Sequence, residues 1–310
     1  MRKANILFLV GLCLGALVAL VLEVAEPARH VVTALGPTPI AAAGAESPTD
    51  SVPSDTPSPT SSGKTTPGRS SSTPGAAKAG KTGTQAQALA ALVPRGHVSA
   101  VIYDRTKGTT VLSVNADRAY TSASLVKLMI AVSALENGTP AGVVKEMLAR
   151  SDDTTASTLW VANGETEIVE SAVQRMGLTE TRPPASPGRW GDTEITANDI
   201  TKIYQYLFTK APTGERTIIL AALHGATEFG ADGFRQYFGL PDALGPGKFG
   251  VKQGWSCCRP TRMLHTSGVV GTGGRFIVTV LTEQPQSVGY NTASAQITSV
   301  VKNLLPLLKQ

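Results

Sequence analysis

The sequence predicts an α/β (α+β) domain, an antiparallel sheet flanked by helices, held behind a polar spacer and an N-terminal apolar segment. Three observations carry this. Strand-forming runs stand at both ends of the C-terminal part, HVSAVIYD at 97–104 and two runs within 262–282, with helical periodicity between them. Residues 31–85 hold almost no large apolar side chains, as in SVPSDTPSPTSSGKTTPGRSSSTPG, and cannot bury enough surface to offset their ordering entropy. Residues 86–310 then form a stretch long enough for a real core.

Charge narrows the partners. The net +5 over 310 residues is spread thinly, with 21 Lys+Arg against 18 Asp+Glu after residue 89, and no aromatic-basic patch accompanies it. No nucleic-acid partner is expected. At the N-terminus, Arg2-Lys3 precedes 17 apolar residues from Ile6 to Leu22. This run reaches the short end of a membrane span, and the positive flank predicts the bulk of the chain outside. The expectation is a single-pass signal anchor over 1–30; a cleaved signal peptide competes, although no small-x-small site follows closely. Cys13 invites a lipidation reading, but the bulky Leu12 stands before it where such a site wants a small residue.

Two motifs in the spacer are chance matches. GAAKAGKT (75–82) copies a phosphate-binding P-loop but lacks a preceding buried strand. Lys81-Thr82-Gly83 repeats a triad used below, in the wrong place.

The elements follow in order. AQALAALVP predicts a short helix ended by Pro94, and strands at 97–104 and 109–114 flank the turn RTKG. YTSASLVKLMIAVSALENG (120–138) predicts a helix with Ser122 as N-cap, an apolar face through Leu125, Leu128, Met129, Val132 and Leu135, and a stop at Gly138. Ser124 falls in its first turn, where free N–H groups favour negative charge, and Lys127 lies three residues on. A serine needs a base to become a nucleophile, and a lysine serves if its amine is neutral. Ser-x-x-Lys alone is a weak signal; Ser61 to Lys64 repeats it in the spacer. GVVKEMLARSDDTTASTLW (142–160) reads as helix, break and helix, with Ser151-Asp152-Asp153 at the break. After the Pro/Gly-rich loop TETRPPASPGRWGD, Thr196 to Asp199 caps another helix. Lys252-Gln253-Gly254-Trp255 opens strand-like chain, followed by 262–270 and 276–282, and an amphipathic helix from Ala293 to Leu305 packs back through Ile297, Val300, Val301 and Leu304.

The order Ser-x-x-Lys, Ser-Asp-Asp, Lys-x-Gly, with its flanking sequences, resembles the active-site serine enzymes that comprise the class A β-lactamases and penicillin-binding D,D-peptidases. The resemblance covers roughly residues 90 to 310 and implies a β-lactamase/transpeptidase-like fold. It implies that Ser124 is the acylated nucleophile, Lys127 its base or proton relay, Ser151 the donor to the leaving nitrogen and Lys252 a setter of local potential that holds the substrate carboxylate. The backbone N–H groups of Ser124 and Trp255 become the oxyanion hole, and Asp153, Gln253, Gly254 and Arg262 the substrate-binding residues; for Arg262 a surface arginine is the competing reading.

Departures from the pattern shape the expectation. Asp153 replaces an asparagine, trading a group that donates and accepts for an acceptor. Gln253 replaces a small hydroxyl residue. Only 27 positions separate Ser124 from Ser151, which implies a reduced helical subdomain and an open cleft. The deacylating glutamate of class A enzymes has no counterpart: Glu180 lacks an Asn four residues on, and Glu194 has Asn198 there but within a capping turn. His30, His97, His224 and His265 form no metal-spaced pair, and no metal or cofactor is called for. Adjacent Cys257 and Cys258 invite a vicinal disulfide or a structural role.

The expected function is an extracytoplasmic, membrane-tethered serine hydrolase of the bacterial envelope. It acts on β-lactams or peptidoglycan stem peptides and deacylates slowly. The alternatives are a true class A-type β-lactamase and an inactive binding module on the same fold.

Overall fold

The two strands around RTKG close as an antiparallel hairpin: β1 (His97–Asp104) and β2 (Thr109–Val114) pair from Ala100 opposite Val114 to Asp104 opposite Thr109. The computed structural model describes residues 76–257 and 260–309, all within one unit, Arg69–Gln310. Three C-terminal strands, β5 (Phe249–Ser256), β6 (Thr261–Val270) and β7 (Phe276–Pro285), complete an antiparallel sheet of order β2-β1-β7-β6-β5. Because β1 lies against β7, the chain between them makes one long excursion and returns. A two-stranded pair, β3 (Tyr120–Thr121) with β4 (Glu194–Ile195), ties that excursion together.

The sheet is buried on both faces, and strand alternation sorts its residues. Phe249 and Val251 of β5, with Val278 and Val280 of β7, join Phe238, Leu240, Val300, Val301 and Leu304 in one core, covered by α1 (Ala76–Leu92), α8 (Leu240–Leu244) and α9 (Tyr290–Leu304). Ile277 and Leu281 point the other way, into a second core. It is built by α2 (Lys127–Glu136), α3 (Ala141–Ala149), α4 (Asp153–Ala162), α5 (Thr166–Met176), α6 (Ala197–Thr209) and α7 (Thr213–His224).

Three expectations need correction. Helix α1 starts at Ala76, ten residues before the spacer is expected to end, because the Ala- and Gln-rich run AAKAGKTGTQAQALAAL favours helix despite Gly80 and Gly83. Ser122 is not a side-chain cap: its backbone is already helical, and Ser124 lies in a 3-10 turn, Ala123–Val126, ahead of α2. Helix α2 is buried from Lys127 through Val132 on every side, not along one stripe, since it runs through the middle of its core. Gly138, at φ +79°, follows its end.

Candidate active site

The segment that carries Ser124 is held in a strained conformation. Ala123, directly before Ser124, has φ +46°, a region a side chain disfavours. Neighbouring bonds fix it: Ser122 N–H donates to Thr193 O at 2.8 Å, and its hydroxyl bonds Ala123 O at 3.1 Å and Gly191 O at 3.3 Å. Behind it, Thr282 N–H donates to His265 Nδ1 at 3.3 Å, so the proton sits on Nε2 and bonds Thr121 O at 2.9 Å. Burial pushes this histidine down to about 4, and it is neutral at pH 7. His265 is thus a buried strand residue that anchors the chain before Ser124.

One turn on, the fully buried Lys127 directs Nζ at Ser124 Oγ (2.9 Å), Ser151 O (2.8 Å), Ser151 Oγ (3.3 Å) and the Asp153 carboxylate. Ser151 occupies the break between α3 and α4 at φ +54°, and Asp152 caps α4 by accepting from Thr154 and Thr155 N–H. Lys252, buried on β5, places Nζ 2.8 Å from Ser151 Oγ and 2.9 Å from Gln253 O. Ser124, Lys127, Ser151 and Lys252 therefore meet in one connected cluster. Burial lowers the pKa of Lys127 while Asp153 pulls it back up; Lys252 is held well below its ordinary value, first by burial and then by Lys127.

The remaining predicted site residues divide. Asp153 sits at the cluster, but on the lysine, as its ion-pair partner. Gly254 lets β5 approach the Ser124 segment: a Cβ there would lie 3.0 Å from Ser122 O and 3.3 Å from Leu125 Cγ. Trp255 borders the cluster, its ring stacked on Phe234 at 4.9 Å and its Nε1–H donating to Asp232 at 3.0 Å. Gln253 does not face the cluster. Strand alternation turns it to the opposite side from Lys252, where Nε2 donates to Gln236 O (2.9 Å) and Phe238 O (2.6 Å). Arg262 is neither a surface residue nor a member of the cluster. It is buried, its guanidinium 4.3 Å above the Tyr290 ring and bonded to Gln286 O and Cys257 Sγ. Its strand position is five residues from Ser267, the partner of Lys252, about 16 Å at a strand's rise.

Some contributors carry no spacing signal. Trp190, in the Pro/Gly-rich loop, brings its ring centroid within 4.8 Å of Lys127 Nζ, and Asp232 braces Trp255. Glu194 is exposed on β4 and Glu180 is exposed beside Arg182; among the described residues no glutamate bonds to the cluster. Cys257 is disulfide-bonded, while Cys258 lies outside the described residues. A cavity of about 680 Å³ between Phe234, Tyr290 and α9 is lined by none of the cluster residues.

Comparison with known proteins agrees with this architecture. A model described as the beta-lactamase enzyme family matches residues 139–306, beginning just past Ser124 and Lys127. Proteins named "Putative lipoprotein LppW" from Mycobacterium bovis and Mycobacterium tuberculosis are 34% identical over 222 residues, covering 67% of this chain and 69% of theirs. A class A beta-lactamase from Bacteroides cellulosilyticus superposes with a TM-score of 0.63 at 14% identity over 74% of this chain and 97% of its own. PBP-A does so with 0.60 at 17% identity over 73% and 96%. At such identities the structural likeness speaks for the fold. The relatives also overturn the expected single-pass anchor, since they bear a lipoprotein's name. Among the described residues no helix is long and apolar enough to cross a membrane, and Ile6–Leu22 lies outside them. With over half its length matched by the family and its mycobacterial relatives aligned across two thirds, the chain belongs to the beta-lactamase enzyme family.

Proposed function

We propose that this chain is a serine acyl-enzyme of the bacterial cell envelope that reacts with β-lactams or peptidoglycan stem peptides and releases the acyl group slowly. One observation carries the proposal: Lys127 Nζ sits 2.9 Å from Ser124 Oγ, and Ser151 joins that pair to Lys252. Ser124 attacks the carbonyl, and the N–H groups of Ser124 and Trp255 receive the oxyanion, where one good donor is typically worth about 10²- to 10³-fold. Ser151 protonates the leaving nitrogen. The ester then persists, because among the described residues no glutamate reaches the cluster to activate water. A variant of PBP-A, 17% identical with a TM-score of 0.58, has been solved as its acyl-enzyme with penicillin G, so the fold accommodates such an adduct.

In this reading residues 31–75, ahead of α1, act as a spacer for the domain. Attachment is through a lipid on Cys13, in keeping with the relatives' name and despite Leu12. Incorporation of a palmitate analogue that survives Cys13→Ser would contradict the lipid site.

The test of acylation is intact mass of the full-length protein in detergent after incubation with penicillins and cephalosporins. A single adduct that is absent in Ser124→Ala is expected. Rapid hydrolysis without an adduct would identify a class A-type β-lactamase instead. A second reading, a binding module without turnover, is favoured by one feature, the Asp153 carboxylate on the amine that should act as base; neither adduct nor hydrolysis across a broad ligand set would establish it.

A further inference from the structure

The two buried lysines share a hydroxyl yet differ in what else they touch. Lys127 Nζ and Lys252 Nζ lie 3.3 and 2.8 Å from Ser151 Oγ. Two ammonium groups converging on one oxygen inside a protein repel each other strongly, so one of the amines should be neutral. The carboxylate decides which. Lys127 Nζ has the Asp153 carboxylate, Ser124 Oγ, Ser151 O and, farther off at 3.3 Å, Ser151 Oγ around it, a set of acceptors that suits an ammonium with three protons to donate. Among the described residues no carboxylate bonds to Lys252; its contacts are Ser151 Oγ and Gln253 O, which suit an amine that donates once and accepts once. Other charges facing the pair are Asp152, engaged in capping α4, and Asp232, bonded to Trp255 and Phe234 N–H, and the Trp255 ring centroid lies 5.7 Å from Lys252 Nζ.

We infer that Lys252 is the neutral amine of the resting site and the store for the proton that acylation removes, with Ser151 as its link to Lys127. This rests on the proposed acylation of Ser124. Before attack, Lys127 passes one proton to Ser151 Oγ as the Ser151 hydroxyl proton moves to Lys252, leaving Lys127 neutral and Lys252 an ammonium. Lys127 then takes the Ser124 proton as Oγ bonds the carbonyl carbon. When the carbon–nitrogen bond breaks, Ser151 protonates the nitrogen and is refilled by Lys252, so each group ends as it began and the Ser124 proton is accounted for. Burial and the neighbouring Lys127 both hold Lys252 well below its ordinary value, the direction this assignment needs. Asp153, in place of a neutral amide, is what moves the resting base from one lysine to the other.

Two measurements test it. In the full-length protein labelled with ¹⁵N-lysine, the Nζ resonance lost in Lys252→Met should have the shift of a neutral amine at pH 7, and that lost in Lys127→Met the shift of an ammonium. The reverse assignment, or two ammonium groups, overturns the inference, and this readout stands even if no β-lactam acylates Ser124. In the second, Lys252→Met should slow formation of the penicillin G adduct by about 10²- to 10⁴-fold. In an Asp153→Asn background, where Lys127 is released to act as base, the same substitution should cost less than about 10-fold, below the range of a lost base. An equal loss in both backgrounds would make Lys252 merely structural and overturn the assignment. Absence of any adduct in the unmodified protein would instead remove the acylation reading and leave the resonance assignment to decide the charge state.

Discussion

Two ion pairs in this molecule are built opposite ways round. At the end of β1 the acid is buried and the base exposed: Asp104 is 1% accessible and Arg275 31%. In the cleft the base is buried and the acid exposed, Lys127 at 0% and Asp153 at 65%. Asp104 is saturated, accepting from Arg275 Nε and Nη2 and from the N–H groups of Thr106 and Lys107, so it fixes the RTKG turn and the approach of Arg275 before β7. Lys127 is bonded to two serines and to a carboxylate that can turn into water. The first arrangement holds a turn in place; the second leaves an amine whose protonation can change. A buried charge with every partner fixed serves the fold, and one whose counter-charge is mobile can serve chemistry.

The largest effect should come from the cleft pair. Lys127→Met should slow formation of the Ser124 adduct by about 10²- to 10⁴-fold, yet leave the melting temperature unchanged or higher, because a buried ion costs desolvation. Unchanged acylation with a lower melting temperature would reverse the comparison.

Asp104→Asn should do the opposite, lowering the melting temperature while each folded molecule acylates at the original rate. Arg275 holds the Asp104 carboxyl below its ordinary value. Its stabilisation is therefore fully present above the unfolded carboxylate pKa of about 3.9 and is lost as pH falls through the lower folded value. Urea midpoints measured at falling pH should decline less steeply for Asp104→Asn in that acid window. Equal slopes would show that this pair does not couple to folding.

A small effect on chemistry should also come from Gln253→Thr, which restores the small hydroxyl residue of the family pattern. The glutamine is turned away, so acylation should change little, while the loss of its two buried bonds should cost about 1–3 kcal/mol by denaturant unfolding. A large gain in acylation would show that position 253 reaches the ligand.

Strands such as HVSAVIYD, and the helices around Ser124 and Ser151, are legible because β-branched runs and apolar spacing record burial directly. Helices α5 and α7 are not. The first begins after Gly164 and Glu165, the latter at φ +54°, and the second after Pro212, and neither has a side-chain cap to announce it. Strands β3 and β4, two residues each, are too short to show a period. Within the site, Ser124, Lys127, Ser151 and Lys252 follow from motif order, and the structure brings the four together. Gln253 and Arg262 mislead because a motif read along a line ignores alternation: neighbours on β5 face opposite cores, and β6 carries Arg262 some 16 Å away by its rise. The Lys127–Asp153 pair is absent from a linear reading because a separation of 26 residues gives no sign that a charge replacing an amide would turn back on the lysine.

The most direct test of Ser124 acylation is its location and lifetime. The full-length protein should be treated with penicillin G, freed of excess drug, digested and mapped by mass spectrometry over time. The adduct is predicted to lie on the peptide holding Ser124, at one per chain, and to decay slowly compared with its formation. An adduct on any other residue, or hydrolysis of many equivalents of drug with no adduct retained on Ser124, would contradict a slowly deacylating Ser124 acyl-enzyme.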